Sequence, residues 1–138
     1  MRKLSDFSKA EKIIKRAQEE EEKTRNVKIE EYNSAVKELL GSIQSIIPEV
    51  DMISFSPNFH FNRHAMTFYI GQHNEVSAYA DGEGNVKSVG VSGYERKVEN
   101  ANEVAELKLA YLLISGQMDR ILKEKFPKII QMISELSK

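Results

Sequence analysis

The sequence predicts an α+β fold with a long N-terminal helix, a four-stranded antiparallel meander, and C-terminal helices packed on one face of the sheet. Two periodicities predict this class. Apolar residues recur at spacings of three and four over 8–47 and again over 100–137, as in amphipathic helices. Over 52–94 they instead alternate with polar residues, as in strands with one buried face. All 138 residues are expected to form a single domain, since a chain of this length can bury a core of its own.

The first helix is expected to begin at Ser8 and to end at Ile47. Ser8, with Glu11 three residues later, has the pattern of a capping box. Pro48 disfavours the helical conformation in the residue before it. The apolar positions of this helix form one stripe, which consists of Ile29, Tyr32, Val36, Leu39, Ile43 and Ile46.

The stretch 16–26, RAQEEEEKTRN, is part of this helix but has almost nothing to bury. Most of its charges stand four residues from an opposite charge, and such pairs stabilise an exposed helix by about 0.2–0.5 kcal/mol each. A solvated helical stretch is therefore expected. Two alternatives stay open. The stretch could be an arm that binds a partner through Ile13, Ile14 and Ala17, or the helix could break near 24–26.

Four strands are expected over 52–94, and the turn signals GQHN (71–74) and DGEGN (81–85) separate the second strand from the third and the third from the fourth. Pro57 should make the first strand an edge strand or break it at that point, because proline cannot donate a backbone hydrogen bond. The apolar positions expected to face the helices are Ile53, Phe55, Phe59, Phe61, Met66, Phe68, Ile70, Val76, Ala78, Ala80, Val89 and Val91.

The chain is expected to be helical again from Asn100, which can cap a helix with Glu103 three residues on. Pro127 is expected to interrupt this region and to begin a short final helix, a position that proline favours. The apolar stripe expected to pack on the sheet consists of Val104, Leu107, Tyr111, Ile114, Met118 and Ile121.

Composition disfavours some classes of function and excludes others. The formal net charge of −1 gives no overall field that would recruit nucleic acid or an anionic membrane. The absence of cysteine excludes disulfides, thiol nucleophiles and thiolate metal sites. The sequence contains no apolar run as long as a membrane span and no secretory signal, so a cytoplasmic protein that does not enter the membrane is expected.

His60 and His64 stand four positions apart and could suggest a metal or catalytic site. Keeping Phe59 and Phe61 on the core face requires Phe59 to pair with Met66, and Phe61 with His64. His60 then points to the other face, while His64 lies at the turn beside the apolar side. The two imidazoles are expected to point apart.

No other pattern completes a catalytic or cofactor site. His73 falls in the next turn, at the opposite end of the sheet, so three converging metal ligands are not expected. The glycine-bearing segments DGEGN and GVSGY match no phosphate loop, and no nucleophile elbow or H-E-x-x-H motif occurs. No catalytic residue, metal or cofactor is therefore expected. An enzyme would need His60 to act with a neighbouring serine or tyrosine.

The strand positions that point away from the helices form a predicted binding face with few charges. Its residues are Ser54, Ser56, Asn58, His60, Thr67, Tyr69, Ser77, Tyr79 and Tyr94, with Ser88 and Ser92 beside them. Only Glu75 brings a charge to this face, and Lys87 is expected opposite Ala80 with the core-side parity. Tyrosine and serine with few charges are typical of the centre of a protein interface, although a plain solvated sheet face is the alternative.

These patterns favour a non-enzymatic interaction protein that binds a protein partner or a second copy of itself, most simply as a homodimer, through this face or the helical stripes. A small inhibitor or accessory factor, such as a phage-encoded one, fits a compact chain without a motif. The alternative is a small-ligand or nucleic-acid binding module in which Tyr69, Tyr79 and Tyr94 stack on rings or bases. Nucleic acid is disfavoured because few basic residues lie near this face.

Overall fold

A computed structural model describes the backbone of residues 4–71, 74–93 and 101–137, and the side chains of 8–71, 74–91 and 104–137. The elements in order are α1 (Leu4–Gln44), β1 (Val50–Ser56), β2 (His64–Ile70), β3 (Asn74–Ala80), β4 (Val86–Gly93), α2 (Ala101–Ile114) and α3 (Asp119–Leu136). This order confirms the α+β class. His73, Tyr94 and Asn100, for which the sequence predicted a turn, a face position and a helix cap, lie outside the described residues.

α1 is a single helix of 41 residues, about 60 Å long at 1.5 Å per residue. The predicted start at Ser8 is wrong: the helix already includes Leu4, so Ser8 lies inside it and cannot cap its end. The stretch 16–26 is helical and exposed, as predicted. No break occurs near 24–26, where the Thr24 hydroxyl donates a hydrogen bond to the Glu20 carbonyl oxygen at 2.9 Å. Every described α1 side chain from 8 to 27 is exposed, and burial begins only after that.

The four strands form one antiparallel sheet in the order β1-β2-β3-β4, which is the predicted meander. β1 is an edge strand that ends at Ser56, immediately before Pro57. The strand therefore breaks at Pro57, and its place at the edge of the sheet is one where proline is tolerated. α1 ends at Gln44, three residues earlier than predicted, and the Gln44 side-chain amide donates to the Val50 carbonyl oxygen at 2.7 Å. This contact joins the end of the helix to the first strand.

The predicted pairing of the first hairpin is wrong by four residues. Phe55 pairs with Met66, where Phe59 had been expected, because the strand ends before Pro57. Phe59 and Phe61 consequently lie in the β1–β2 connection and are 46% and 72% exposed. Four is an even number, so the shift does not exchange the two faces of the sheet. The division into a core face and an open face therefore remains as predicted.

The helices cover the core face of the sheet. The C-terminal half of α1 packs on β1 and α3, and α2 lies across β2, β3 and β4. From α3, the Phe126 ring lies 6.0 Å from the Phe55 ring, centroid to centroid. The apolar strand residues buried by this layer are Val50, Ile53, Met66, Phe68, Ile70, Val76, Ala78 and Ala80.

The boundary between the C-terminal helices lies earlier than predicted. Gly116 has a φ of 78°, and Gln117 donates its backbone N–H to the Leu112 carbonyl oxygen at 3.0 Å, which closes α2 with a Schellman-type cap. Pro127 lies inside α3 and does not begin a helix. Glycine adopts this left-handed conformation without strain, so α2 ends just before Gly116. Pro127 does not mark a helix boundary.

The side of α2 that packs on the sheet also differs from the prediction. Ala105, Leu109 and Leu112 are buried against the sheet. The predicted core stripe is exposed along α2, at Val104, Leu107, Tyr111 and Ile114, and only Met118 and Ile121, beyond its end, are buried or half-buried. α2 is apolar around most of its circumference, so spacing alone could not identify the packed side.

Candidate interaction surfaces

The open face of the sheet, here called the outer face, points away from the described helices. Its described side chains are Met52, Ser54, Ser56, Ala65, Thr67, Tyr69, Glu75, Ser77, Tyr79 and Ser88. They form rows across the strands: Ser54 is opposite Thr67, which is opposite Ser77. The predicted positions in the strands thus come together on one surface. Most are half-buried by their neighbours, while Met52 and Tyr79 are 52% and 38% exposed.

Polar side chains of the outer face contact one another across the strands. The Ser54 hydroxyl and the Tyr69 hydroxyl are 3.4 Å apart, and the Thr67 and Ser77 hydroxyls are 3.5 Å apart. These hydrogen bonds restrict the rotamers of side chains that a partner would meet, so less conformational entropy is lost on binding.

Arg63 brings a positive charge to the outer face, where none was expected. Its guanidinium carbon lies 4.3 Å from the centroid of the Tyr79 ring, and its Nη2 donates to the Ser88 hydroxyl oxygen at 3.4 Å. The position directly before β2 continues the strand alternation and therefore points outward. The prediction that Glu75 is the only charged residue on this face is therefore wrong.

Two members of the predicted binding face do not lie on it. Asn58 and His60 belong to the β1–β2 connection, because β1 has already ended. The Asn58 side-chain oxygen accepts the Phe61 backbone N–H at 3.3 Å, and the His60 ring lies 4.6 Å from the Phe61 ring. His60 is therefore not placed beside an outer-face serine or tyrosine. Tyr94 lies outside the described residues.

His64 lies deeper than predicted, with 1% of its surface exposed. Its Nδ1 accepts the Asn58 backbone N–H at 3.2 Å, and its ring lies 6.2 Å from the Phe126 ring. Burial lowers the pKa of His64 below its ordinary value, and the charge of Asp81 opposes this only in part. A buried neutral imidazole that accepts a backbone hydrogen bond holds the connection in place and is not available to a substrate.

The β3–β4 turn is held by the Asp81 carboxylate. It accepts hydrogen bonds from the Asn85 amide at 3.0 and 3.2 Å and from the Glu83 backbone N–H at 2.9 Å. Burial raises the pKa of Asp81, but these bonds and the Lys87 charge outweigh it, so the pKa lies below its ordinary value. The prediction that Lys87 faces the core opposite Ala80 is wrong. A register shift leaves Lys87 exposed, with its Nζ 3.7 Å from the Asp81 carboxylate.

A second candidate surface, here called the α2 stripe, consists of Val104, Leu107, Tyr111 and Ile114. These side chains are 61%, 55%, 64% and 71% exposed. Their spacing of three, four and three residues places them on one side of the helix. Large exposed apolar patches are typical of interaction sites, so the α2 stripe is a candidate for one.

Grooves and clusters of charged side chains are weaker candidates for a functional site than these two surfaces. Among the described residues, no three histidine or carboxylate side chains are grouped to hold a metal ion. An open groove of about 500 Å³ between α1 and α3 is lined by charges of both signs. Two of these charges pair with each other, because the Lys125 Nζ lies 2.7 Å from a Glu38 carboxylate oxygen. No helix in the described part of the chain is both long and apolar enough to span a membrane.

No family model, curated protein or solved structure matches this chain.

Proposed function

We propose that this chain is a non-enzymatic interaction protein that binds a protein partner through the outer face. The observation that carries this proposal is a surface of tyrosine, serine and arginine side chains in contact with one another, on the side of the sheet that the described helices leave open. Tyrosine and arginine are enriched among the residues that dominate binding energy in protein interfaces. Such a protein would act as an inhibitor or accessory factor by occupying a surface of its partner.

The shape and charge of the outer face favour a protein over a smaller or more acidic ligand. Small-molecule sites are concave, whereas this surface follows strands that are open on one side. Nucleic acid would need several cations for its phosphates, and Arg63 already stacks on Tyr79. The alternative of stacking a ring or base on Tyr69 and Tyr79 is tested below. We propose that binding occurs in the cytoplasm, since the chain has no cysteine that would need an oxidising compartment.

Tyr79 and Arg63 are the proposed anchors of the interface. The guanidinium covers one side of the Tyr79 ring, and a partner would complete the enclosure of both. Truncating a buried aromatic anchor of this kind costs about 2 kcal/mol or more of binding free energy. Tyr69, fixed by its contact with Ser54, is expected to contribute less because it is already half-buried.

A quantitative pull-down from the native host tests the proposal. Immobilised wild type is compared with a Tyr69→Ser/Tyr79→Arg variant and with the matched control Ile14→Ser, which removes an exposed apolar side chain far from the sheet. We expect one protein to be retained by wild type and by Ile14→Ser but lost from the double variant. Retention by all three chains would refute the outer face as the binding surface. Loss with Ile14→Ser alone would assign binding to the arm of α1.

Two measurements test the alternative functions directly. Native mass spectrometry of freshly purified chain would show a mass excess, removed by Tyr69→Ala, if a small ligand bound the outer face. Gel shifts at low salt would reveal nucleic acid, and their loss with salt would report phosphate contacts. Either positive result, without a retained protein partner, would replace the proposed function.

A further inference from the structure

The α2 stripe has no function inside the described chain. The opposite side of α2 already packs on the sheet through Ala105, Leu109 and Leu112, so the stripe is not needed to hold the helix. Of the exposed α2 side chains in the described range 104–114, only Lys108 is charged. Depletion of charge around large apolar side chains is the composition of an interface centre.

The spacing of the α2 stripe is the same in both directions along the helix. Read from either end, the intervals are three, four and three residues. If two copies of α2 pair antiparallel, Val104 of each copy meets Ile114 of the other, and Leu107 meets Tyr111. The stripe is therefore complementary to itself under a two-fold axis, which is the requirement for an isologous dimer. The same spacing is that of the apolar positions in paired helices.

The area of the α2 stripe is adequate for such a pairing. Four side chains that are 55–71% exposed present on the order of 400 Å² of surface, within the range of patches that mark interaction sites. Pairing two copies would bury roughly twice this area from the stripe alone. A specific interface needs approximately 1,000 Å² in total, so the two stripes supply most of it and neighbouring residues must supply the remainder.

We propose that the chain forms a homodimer through antiparallel pairing of the α2 stripes of two copies. In each copy the stripe is on the side of α2 that points away from the sheet, and the outer face is on the far side of that sheet. Pairing the two stripes therefore places the two outer faces on opposite sides of the dimer. Each dimer then presents two copies of the outer face, and a partner with repeated sites would be bound with the added strength of two attachments. The homodimer does not depend on the function proposed for the outer face.

Sedimentation or light-scattering measurements over roughly 1 to 100 µM chain test the dimer. Wild type should show twice the chain mass of 15.8 kDa. Leu107→Asp should weaken the dimer by about 100-fold or more with unchanged helical circular dichroism, because it places a charge at the centre of the interface. Tyr79→Arg, on the outer face, is the control that should leave the dimer intact. A monomeric wild type at every concentration, a dimer that survives Leu107→Asp, or a monomeric Tyr79→Arg would overturn the proposal.

Cysteine cross-linking tests the antiparallel arrangement and does not rely on a disruptive variant. The chain has no cysteine, so Val104→Cys and Ile114→Cys can be made singly and together. The two positions are about 15 Å apart along one helix, too far for a disulfide within the same chain. On oxidation, only the double variant should yield a cross-linked dimer. Cross-linking of either single variant, or none in the double variant, would overturn the antiparallel pairing whatever the outer face binds.

Discussion

Gly84 determines how closely the β3–β4 turn approaches α3, and its replacement by alanine gives a quantitative test of that packing. The φ of Gly84 is 89°, and a Cβ built on it would lie 2.7 Å from the Leu122 carbonyl oxygen and 3.0 Å from the Lys123 backbone nitrogen. Both atoms belong to the α3 backbone, so they cannot move aside as a flexible side chain could. Alanine would be disfavoured both by the backbone conformation and by the contact.

The two contributions can be separated with a second glycine. A left-handed conformation costs an L-residue about 1–2 kcal/mol, and forcing an extra methyl group into a packed contact costs about 1–3 kcal/mol. Gly84→Ala should therefore lower the free energy of unfolding by about 3 kcal/mol. Gly116 has a similar φ of 78° but nothing within 4 Å of its Cβ position, so Gly116→Ala should cost about 1 kcal/mol. Gly41→Ala, inside α1 with open space around it, should stabilise the chain by about 0.5–1 kcal/mol.

Urea denaturation followed by tyrosine near-ultraviolet circular dichroism measures these differences. All variants must be compared at one protein concentration, because a dimer makes apparent stability depend on concentration. The expected order of stability is Gly41→Ala, wild type, Gly116→Ala and Gly84→Ala. A Gly84→Ala variant as stable as Gly116→Ala would refute the contact between the turn and α3.

Three further predictions test other parts of the fold. Burial lowers the pKa of His64 in the folded chain, so the unfolded chain binds the proton more readily and wild-type stability should fall as the pH drops below about 6.5. In acid denaturation, His64→Gln should reduce the pH dependence of the free energy of unfolding, whereas His60→Gln, at an exposed position, should leave it unchanged. Equal pH profiles for the two variants would contradict the assignment of this dependence to His64. Pro127→Ala should raise the free energy of unfolding by about 1–3 kcal/mol by restoring a helical hydrogen bond, and a lower Tm would argue against this. Ile13→Ser with Ile14→Ser should change stability by less than about 0.5 kcal/mol, since both side chains are exposed; a larger loss would reveal packing of the arm.

The faces of the sheet could be predicted because side-chain alternation survives an error in strand length. The apolar alternation continues past Pro57 to Phe59 and Phe61, and this continuation suggested a longer first strand. The proline ended the strand, but the pairing shifted by an even number of residues, so Ser54 still faces outward. Which residues pair across the strands depends on where the first strand ends. The alternation of apolar and polar residues does not show that end.

The α2 stripe was predicted to be core because α2 has two apolar sides. Spacing identifies a helix side only when the other sides are polar. The sequence feature that marks the packed side is Ala105, since a small side chain lets a helix approach a sheet closely, and Ala105 is buried. Arg63 was missing from the predicted face because a single residue before a strand has no alternation of its own to follow.

The error at Pro127 has an energetic origin. A proline inside a helix costs about 3 kcal/mol, so sequence reasoning placed a helix boundary there. In α3 the neighbouring Phe126, Ile129 and Ile130 are buried, and each such side chain contributes about 1.5–3 kcal/mol. Tertiary packing therefore exceeds the local cost. Gly116, which gains from a left-handed conformation, ends the preceding helix instead.

The long exposed stretch of α1 has a consequence for how the chain unfolds. From 8 to 27 its described side chains are all exposed, so its helical state depends on local hydrogen bonds and charge pairs. Such a segment melts gradually and separately from a packed core, as the least stable unit of a protein does. The helical circular dichroism signal will then combine a broad transition of this stretch with a sharp transition of the packed core. The five tyrosines of the chain all lie outside 8–27, so their near-ultraviolet signal does not record the exposed stretch. A divergence between this signal and the helical signal therefore measures how independently the stretch unfolds.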